Sequence, residues 1–574
     1  MIPAYNLPVY ASQPRLPPAT QDSVQNCWLG ACPEINEGMG RKKGFARRTV
    51  NPSSINVTDV RGDRMQFRGR VSSDHVFLLP PRVDEWLPAE HLARVIDQAI
   101  DVLDLSAVEA TVHQTGAGAP AYHPKTLLKL FTYGYLTQRF SSRRISAACR
   151  EDLAMMWLAR LEQPKHSALA EFRRRHVDDL PGWMAQIVLL CADLGMVGLR
   201  LGAIDGTKLK ADASKHKAMS YARMQEVIPE LEAEIAQWVA AHGVADDQEA
   251  TPADLPADRL ERLQERLARI RQAKAELEAR WADAHPQDPT PPDQTQENFT
   301  DPESHIMVTK TQGVQQAYNA QIAVDADEGV IVAQTLSDHP NDMQELIPTL
   351  EAVVDVMEGR QFDQITADAG YFSANNVRAA EEDYHTDAYI AAGPDQWRKA
   401  SGQTLFGTGQ FSYDAEADAY HCPAEQTLPW HRVRTEAVGG EVVRTVHVYQ
   451  GDRATCGACP LKDQCLTPKQ SVKVIMRGPD DAVRDAMKTK IRTEDGDRIY
   501  RTRKGQVEPA FGIIKETLGF RQFSLRGQQK VRGEWALVCM TYNLRKIGQK
   551  IGRIFRETGE LYTISELRAA HAAQ

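Results

Sequence analysis

Long apolar runs are missing from this chain of 574 residues: no stretch is apolar enough to span a bilayer, and the first residues lack a basic segment followed by an apolar one. No membrane partner is therefore expected, and a cytoplasmic location is. An internal repeat of useful length is also missing, which argues against stacked-repeat architectures. Cysteine is scarce, nine in all; Cys27, Cys32, Cys149, Cys191 and Cys539 show no metal-type clustering, and the reducing cytoplasm expected disfavours disulfides. Basic charge is not in excess either. The formal net charge is -9, which by itself argues against a nucleic-acid partner.

The acidity is local, however. Residues 218 to 298 hold 17 Asp plus Glu against 8 Lys plus Arg, an excess equal to that of the whole chain. From Arg492 to Lys550 the balance reverses to 13 Lys plus Arg against 6 Asp plus Glu. A second basic cluster, Arg139, Arg143, Arg144 and Arg150, precedes Arg173, Arg174 and Arg175. It suits either phosphate contact or a solvated helix face.

What the chain does contain is three acids in distinctive settings. Asp205 closes an apolar run and precedes Gly206-Thr207, and Asp368 lies between Ile365-Thr366-Ala367 and Ala369-Gly370-Tyr371. Both read as carboxylates at strand ends. Glu508 precedes Pro509 and is followed by Lys515 about two turns later on one helical face. Pro509 biases the residue before it away from helical angles, which places Glu508 at a helix start rather than inside one. Singly, an Asp after a strand is a turn former or a helix cap. Together the three suggest one metal site of the hard oxygen ligands that Mg²⁺ or Mn²⁺ needs, and such ions activate water and clamp phosphoryl oxygens.

With Asp205-Gly206-Thr207, Thr300-Asp301-Pro302-Glu303-Ser304, Tyr318-Asn319-Ala320-Gln321, Ala367 to Tyr371 and Val507 to Gly512 in this order, the chain resembles the DDE transposases of bacterial insertion sequences from about Leu78 to Gly552. The resemblance implies a ribonuclease-H-like catalytic core in which Asp205, Asp368 and Glu508 hold two divalent ions for strand cleavage and transfer. It also implies double-stranded DNA as partner, at element ends and target, and a homo-oligomer on that DNA. One branch of the family spaces a Tyr, an Arg, the catalytic Glu and a Lys in a fixed way. Lys515 fits, but Lys504 and Arg501 hold the Arg and Tyr positions while Tyr500 and Arg503 come one residue early. Tyr500, Arg503, Lys504 and Lys515 are the expected DNA contacts beside Glu508, with Arg143 and Arg144 in the leading domain.

The fold class expected is an α/β ribonuclease-H-like core with an all-helical N-terminal domain and two inserts. Residues 1–75, rich in Pro, Gly, Ser and Asn, read as a poorly ordered extension, and Met65 offers a second translation start. Residues 76–196 carry helical spacing, as in Leu127, Leu130, Phe131 and Tyr135, with breaks at Ser141-Ser142, Pro164 and Pro181. They form either a DNA-binding domain or a plain bundle. Residues 197–552 form the catalytic domain: the Asp205 strand, a hairpin at 317–336, a helix at 341–357 and the Asp368 strand. Residues 553–574 form a tail. The acidic insert at about 218–300 reads as a helical hairpin, with a dimer contact as the other use of its face.

The second insert, about 393–477, holds Cys422, Cys456, Cys459 and Cys465. A Cys-x2-Cys pair with two further thiols has the number and softness for a structural Zn²⁺, and reduced cysteines in a small core are the alternative. Trp535 and Tyr542 read as core rather than base-stacking residues. The functional expectation is metal-dependent cleavage and strand transfer at element ends; a nuclease without joining and a DNA-binding regulator derived from a transposase remain beside it.

Overall fold

A computed structural model of the chain describes residues 82–111, 120–247, 258–309, 313–393, 398–400, 403–438 and 441–573. The expectations for residues 1–75, Met65, Cys27 and Cys32 lie outside these residues.

Seven helices come first: α1 (Leu92–Asp101), α2 (Ser106–Thr111), α3 (Pro124–Leu136), α4 (Ser142–Glu151), α5 (Leu153–Leu158), α6 (His166–His176) and α7 (Leu180–Asp193). Local chemistry sets their starts. His123 accepts a hydrogen bond from the Lys125 amide with Pro124 in the first turn, Ser141 accepts from Arg144, and Asp152 accepts from Ala154 and Met155. Leu127, Leu130, Phe131 and Tyr135 point inward on α3.

Strand β1 (Leu201–Lys210) follows, then β2 (Ala218–Ser220), the helices α8 (Tyr221–Asp247) and α9 (Asp258–Ala284), and β3 (Gln296–Asn298). Helices α8 and α9 lie against each other over a small core of their own that includes Met224, Leu231, Leu267, Ile270 and Leu277. The main sheet continues with β4 (His305–Thr309), β5 (Gly313–Asp325) and β6 (Ile331–Ser337), then α10 (Leu346–Val356), β7 (Gln364–Ala367), α11 (Ala374–Arg378) and β8 (Asp387–Ile390). Its order is β4-β5-β1-β7-β8, with β6 also paired to β5. Strand β1 runs antiparallel to β5 and parallel to β7, which is parallel to β8. The parallel connection from β7 to β8 needs a crossover, and α11 supplies it. Residues 317–325 of β5 are buried throughout, as befits a central strand covered on both faces.

The helix expected over 341–357 is shorter at its start. Residues 338–345 form bends and turns instead, because Pro340 disfavours a helix there and the Asp342 carboxylate is engaged by side chains of the sheet.

The second insert holds a short ladder of β9 (Arg398–Ala400) and β10 (Gln403–Leu405) and an antiparallel sheet of β11 (Ser412–Asp414), β12 (Ala419–His421), β13 (Thr427–Val438), β14 (Glu441–Gln450) and β15 (Val474–Arg477). Between β14 and β15 come α12 (Arg453–Gly457) and α13 (Lys462–Cys465). The chain ends with α14 (Asp481–Arg492), α15 (Glu494–Gly512), α16 (Gln528–Thr558) and α17 (Ile564–Ala572).

Helix α16 joins the parts. It packs on α1, α3 and α7 on one side and on β6 on the other, and helices and sheet share one apolar core. Trp535 and Tyr542 lie in that core, with Trp535 Nε1 donating to the Gln321 carbonyl at 3.1 Å and Tyr542 Oη to the Gly329 carbonyl at 2.9 Å. Asp301 and Glu303 accept from the first amides of α16, Gly527 and Gln528, and Tyr318 Oη donates to Asp301 at 2.9 Å. Inside the core, Glu534 accepts from Tyr135 Oη at 2.7 Å and from the amides of Ser524 and Leu525 at 2.8 and 3.0 Å.

Removing the Glu534 carboxylate takes the acceptor from the buried Tyr135 hydroxyl and from three part-buried donors, the Ser524 amide and hydroxyl and the Leu525 amide. Glu534→Ala should cost about 3 kcal/mol or more, and Tyr135→Phe about 1 kcal/mol. Urea unfolding checks both, and equal small effects would show that this cluster does not couple α3 to α16.

Candidate active site

Asp205 lies in the middle of β1, opposite Ile322 of β5, and not at a strand end as expected. Strand β1 continues past the motif because Thr207 to Lys210 still pair with β5, from Ala320 to Ala317. Asp368 does sit where expected, directly after β7, and its carboxylate accepts from the Gly370 amide at 2.7 Å. Since β1 and β7 are parallel neighbours, paired as far as Ile204 and Ala367, the next residue on each is one of these two acids.

Side chains alternate along β1, so Asp205 and Thr207 face one way and Gly206 and Lys208 the other. On the first face Arg503 Nη1 is 3.1 Å from Asp205 Oδ2, and Lys515 Nζ donates to Thr207 Oγ1. On the second face the Gln321 amide lies across Gly206, where a Cβ would come within 2.4 Å of Gln321 Nε2. A side chain at Gly206 would push the Gln321 amide off Asp342 and Tyr371, the packing reason for glycine in Asp-Gly-Thr. Tyr371 Oη donates to Gln321 Oε1, so the tyrosine of the Asp368 motif braces the Gln of the β5 motif.

Burial pushes the Asp205 carboxyl up from 3.8 to about 6. The Arg503 guanidinium and the Gly206 amide pull it down, whereas the nearby Asp368 and Asp342 carboxylates push it further up. Tyr500 is raised too, chiefly by burial, with Arg503 opposing and Asp368 and Asp205 adding to the rise.

Helix α15 corrects the reading of Glu508. The helix begins at Glu494, with Thr493 as its cap, and carries both Glu508 and Pro509 near its end before a wider π-type turn over Ile513–Thr517. Glu508 is thus inside the helix, where Pro509 is tolerated close to the C-terminal end. Its side chain is exposed. Arg503, and not Lys504, faces Asp205; Lys504 is exposed. Tyr500 lies near Arg503 and the same acids.

One participant was missed. Asp342 Oδ1 accepts from Lys208 Nζ at 2.6 Å, Asn319 Nδ2 at 2.7 Å and Gln321 Nε2 at 3.0 Å. A Cβ on Gly370 would stand 3.0 Å from Asp368 Oδ1 and 3.4 Å from Asp342 Oδ2, so the two carboxylates flank that glycine. The only signal in the sequence was Asn341-Asp342, which reads as a turn.

Among the described residues no three His, Cys, Asp or Glu side chains are gathered into a metal-binding group. Asp205 and Asp368 nonetheless suit a divalent cation: they are adjacent hard oxygen donors, one of them destabilised as an anion by burial. Glu508 is not drawn in with them.

Residues 421–548 match the family model described as a transposase DDE domain, and residues 81–175 match a transposase domain of the DUF772 type. The chain carries the domains of a DDE transposase. The first match contains Glu508, Lys515 and the cysteines of the second insert, while Asp205 and Asp368 lie between the two matches. A DDE domain implies a ribonuclease-H-like core, and the mixed order β4-β5-β1-β7-β8 with its helical crossovers accords with that. No curated protein matches the chain. DDE transposases use divalent metals and act on DNA, and among the described residues no helix of this transposase is long and apolar enough to cross a membrane.

Within the transposase, most of the leading arginine cluster is consumed internally. Arg139 pairs with Asp152 at 3.0 Å, Arg173 donates to the Phe140 carbonyl, Arg174 and Arg175 both bind Glu171, and Arg150 donates to Gln163. Arg143 and Arg144, in the first turn of α4, are exposed, and neither side chain has a hydrogen bond or ion pair among the described residues.

An acid raised in the folded state binds its proton more tightly there, so its contribution to stability is present below the unfolded value and is lost as pH rises through the folded one. For Asp205 that window runs from 3.8 to about 6. In metal-free transposase, Asp205→Asn should raise the urea midpoint at about pH 7 and change it little at about pH 4, since each tenfold difference in proton affinity between the folded and unfolded chain is worth about 1.4 kcal/mol. A midpoint lowered equally at both values would contradict this account.

Proposed function

We propose that the transposase cuts DNA at the ends of its own insertion sequence and joins the freed 3′ hydroxyl to target DNA, with Asp205, Asp368 and Glu508 as the carboxylates that hold two Mg²⁺ or Mn²⁺ ions. The observation that carries this reading is the meeting of Asp205 and Asp368 on neighbouring parallel strands, with burial raising Asp205 and cations set around it. When bound, such ions activate the attacking oxygen and stabilise the leaving one.

The chain's own groups have separable tasks. Arg503 neutralises Asp205 and, on the same side as Lys515, offers donors to a DNA phosphate. Tyr500 lies beside Arg503 and shields the acids. Asp342, neutralised by Lys208, fixes Asn319 and Gln321 behind the β1 acid and is a positioning residue. Lys504 and the unpaired Arg143 and Arg144 suit phosphate contacts further out, the latter two in the helical segment 76–196, which we assign to recognition of element ends. Residues 197–552 are assigned to catalysis, and a homo-oligomer on cytoplasmic DNA is the acting form. A zinc ion at the four cysteines would serve no step of this chemistry.

Purified protein incubated with Mg²⁺ or Mn²⁺ and a fragment carrying the native element ends should cleave at those ends and join them to a target, and Asp368→Ala or Glu508→Gln should abolish both while DNA is still bound. Cleavage without joining would identify a nuclease, and binding without cleavage by the wild type a regulator. Arg143→Ala with Arg144→Ala should weaken binding and flatten its dependence on salt by about two phosphate contacts. An unchanged salt slope would remove α4 from the DNA interface.

A further inference from the structure

Four cysteines approach one cavity from three separate segments of the second insert. Cys422 follows β12, Cys456 lies in α12 with Cys459 just beyond it, and Cys465 ends α13; all four line the same cavity, together with Lys462 and Lys473. None is in a disulfide. Their setting differs from that of the other described cysteines. Cys149, Cys191 and Cys539 are buried in the main core, where a thiol acts as a small apolar group, whereas the four of the insert are half-exposed and turned to a common space.

We propose that this cavity is a structural zinc site with Cys422, Cys456, Cys459 and Cys465 as its ligands. Three observations support it beyond the shared lining. Backbone amides already donate to two of the sulfurs, Gln426 to Cys422 Sγ and Leu461 to Cys459 Sγ, each at 3.4 Å. Such outer partners orient a thiolate and spread its charge. A Cβ on Gly451 would come within 2.8 Å of Cys456 Sγ, so glycine keeps that sulfur's approach open. Lys462 and Lys473 set positive charge around the cavity, which offsets the net negative charge of one Zn²⁺ with four thiolates.

The insert also needs such a staple. Its own core is small, built on Phe406, Phe411, Tyr420, Leu428, Tyr449 and Ile475, and strands β11 and β12 are three residues each. The sulfurs share the cavity without three of them being gathered as closely as ligands would be, so bonds of about 2.3 Å would tie the segments of Cys422, Cys456, Cys459 and Cys465 more closely than they now stand.

The full chain, purified without added metal under reducing conditions, should carry about one zinc per chain by elemental analysis. After the ion is removed with a chelator, titration with Co²⁺ should produce the intense near-ultraviolet band of thiolate-to-cobalt charge transfer and the visible bands of a tetrahedral site. Cys456→Ser with Cys459→Ser should lose both signals and lower the melting temperature by the same amount as chelation does in the wild type. Should that variant fail to fold, the cobalt spectrum of the wild type decides alone: no thiolate band overturns the proposal. Mg²⁺ or Mn²⁺ bound at carboxylates gives no such band, so the outcome is independent of the catalytic reading.

Discussion

The constraint on which this structure turns is the neutralisation of carboxylates gathered where β1 and β7 run side by side. Asp205, Asp342 and Asp368 would be costly together in a half-buried site without cations or donors. The chain meets that cost on both faces of one strand. Lys208, Asn319 and Gln321 all converge on Asp342, while Arg503 takes Asp205 on the other face. Asp205 remains raised even so, because its desolvation outweighs the single guanidinium. A site left in that condition gains stability from any further cation that reaches it, which is the general relation between a strained functional site and the ligand that relieves it.

The second organising element is α16, and it explains motifs that carry no reacting group. Asp301 and Glu303 of the Thr-Asp-Pro-Glu-Ser stretch satisfy the first amides of α16, and Tyr318 of the β5 motif braces Asp301. Asn319 and Gln321, the other polar residues of that motif, hold Asp342. Thus β5 is tied at one position to a helix start and at the next to the acids, and Trp535 of α16 returns to the Gln321 carbonyl. A shift of α16 would be felt at Gln321, and so at Gly206 and Asp342, without any contact between α16 and the acids.

Legibility in the sequence followed the range of each interaction. The α4 start, the β5–β6 hairpin and the α8–α9 pair were readable because caps, turn residues and apolar spacing act within a few positions. Asp205 was read as a strand end because its Gly206-Thr207 looks like a turn, whereas the pairing that prolongs β1 comes from residues 317–320, more than a hundred positions away. Pro509 suggested a helix start for the same reason: the caution it imposes is local, and the packing of α15 on β1, β5, β7 and β8 overrides it. Asp342 gave no signal since its role lies wholly in tertiary contacts. That Arg503 rather than Lys504 meets Asp205 was not legible, because a count along the chain does not say which helical face meets the sheet.

That face also bears on Glu508. Five residues separate it from Arg503, so in regular helix the two side chains point about 140° apart. With Arg503 on Asp205, Glu508 faces largely outward, as its exposure shows. Seven residues separate Glu508 from Lys515, a separation that in regular helix would bring them to nearly one face, yet Lys515 reaches Thr207 on the same side of β1 as Asp205. The wider turn at Ile513–Thr517 lies between them and changes the register. Arg503, and not Glu508, is therefore the α15 side chain that meets Asp205 in this structure.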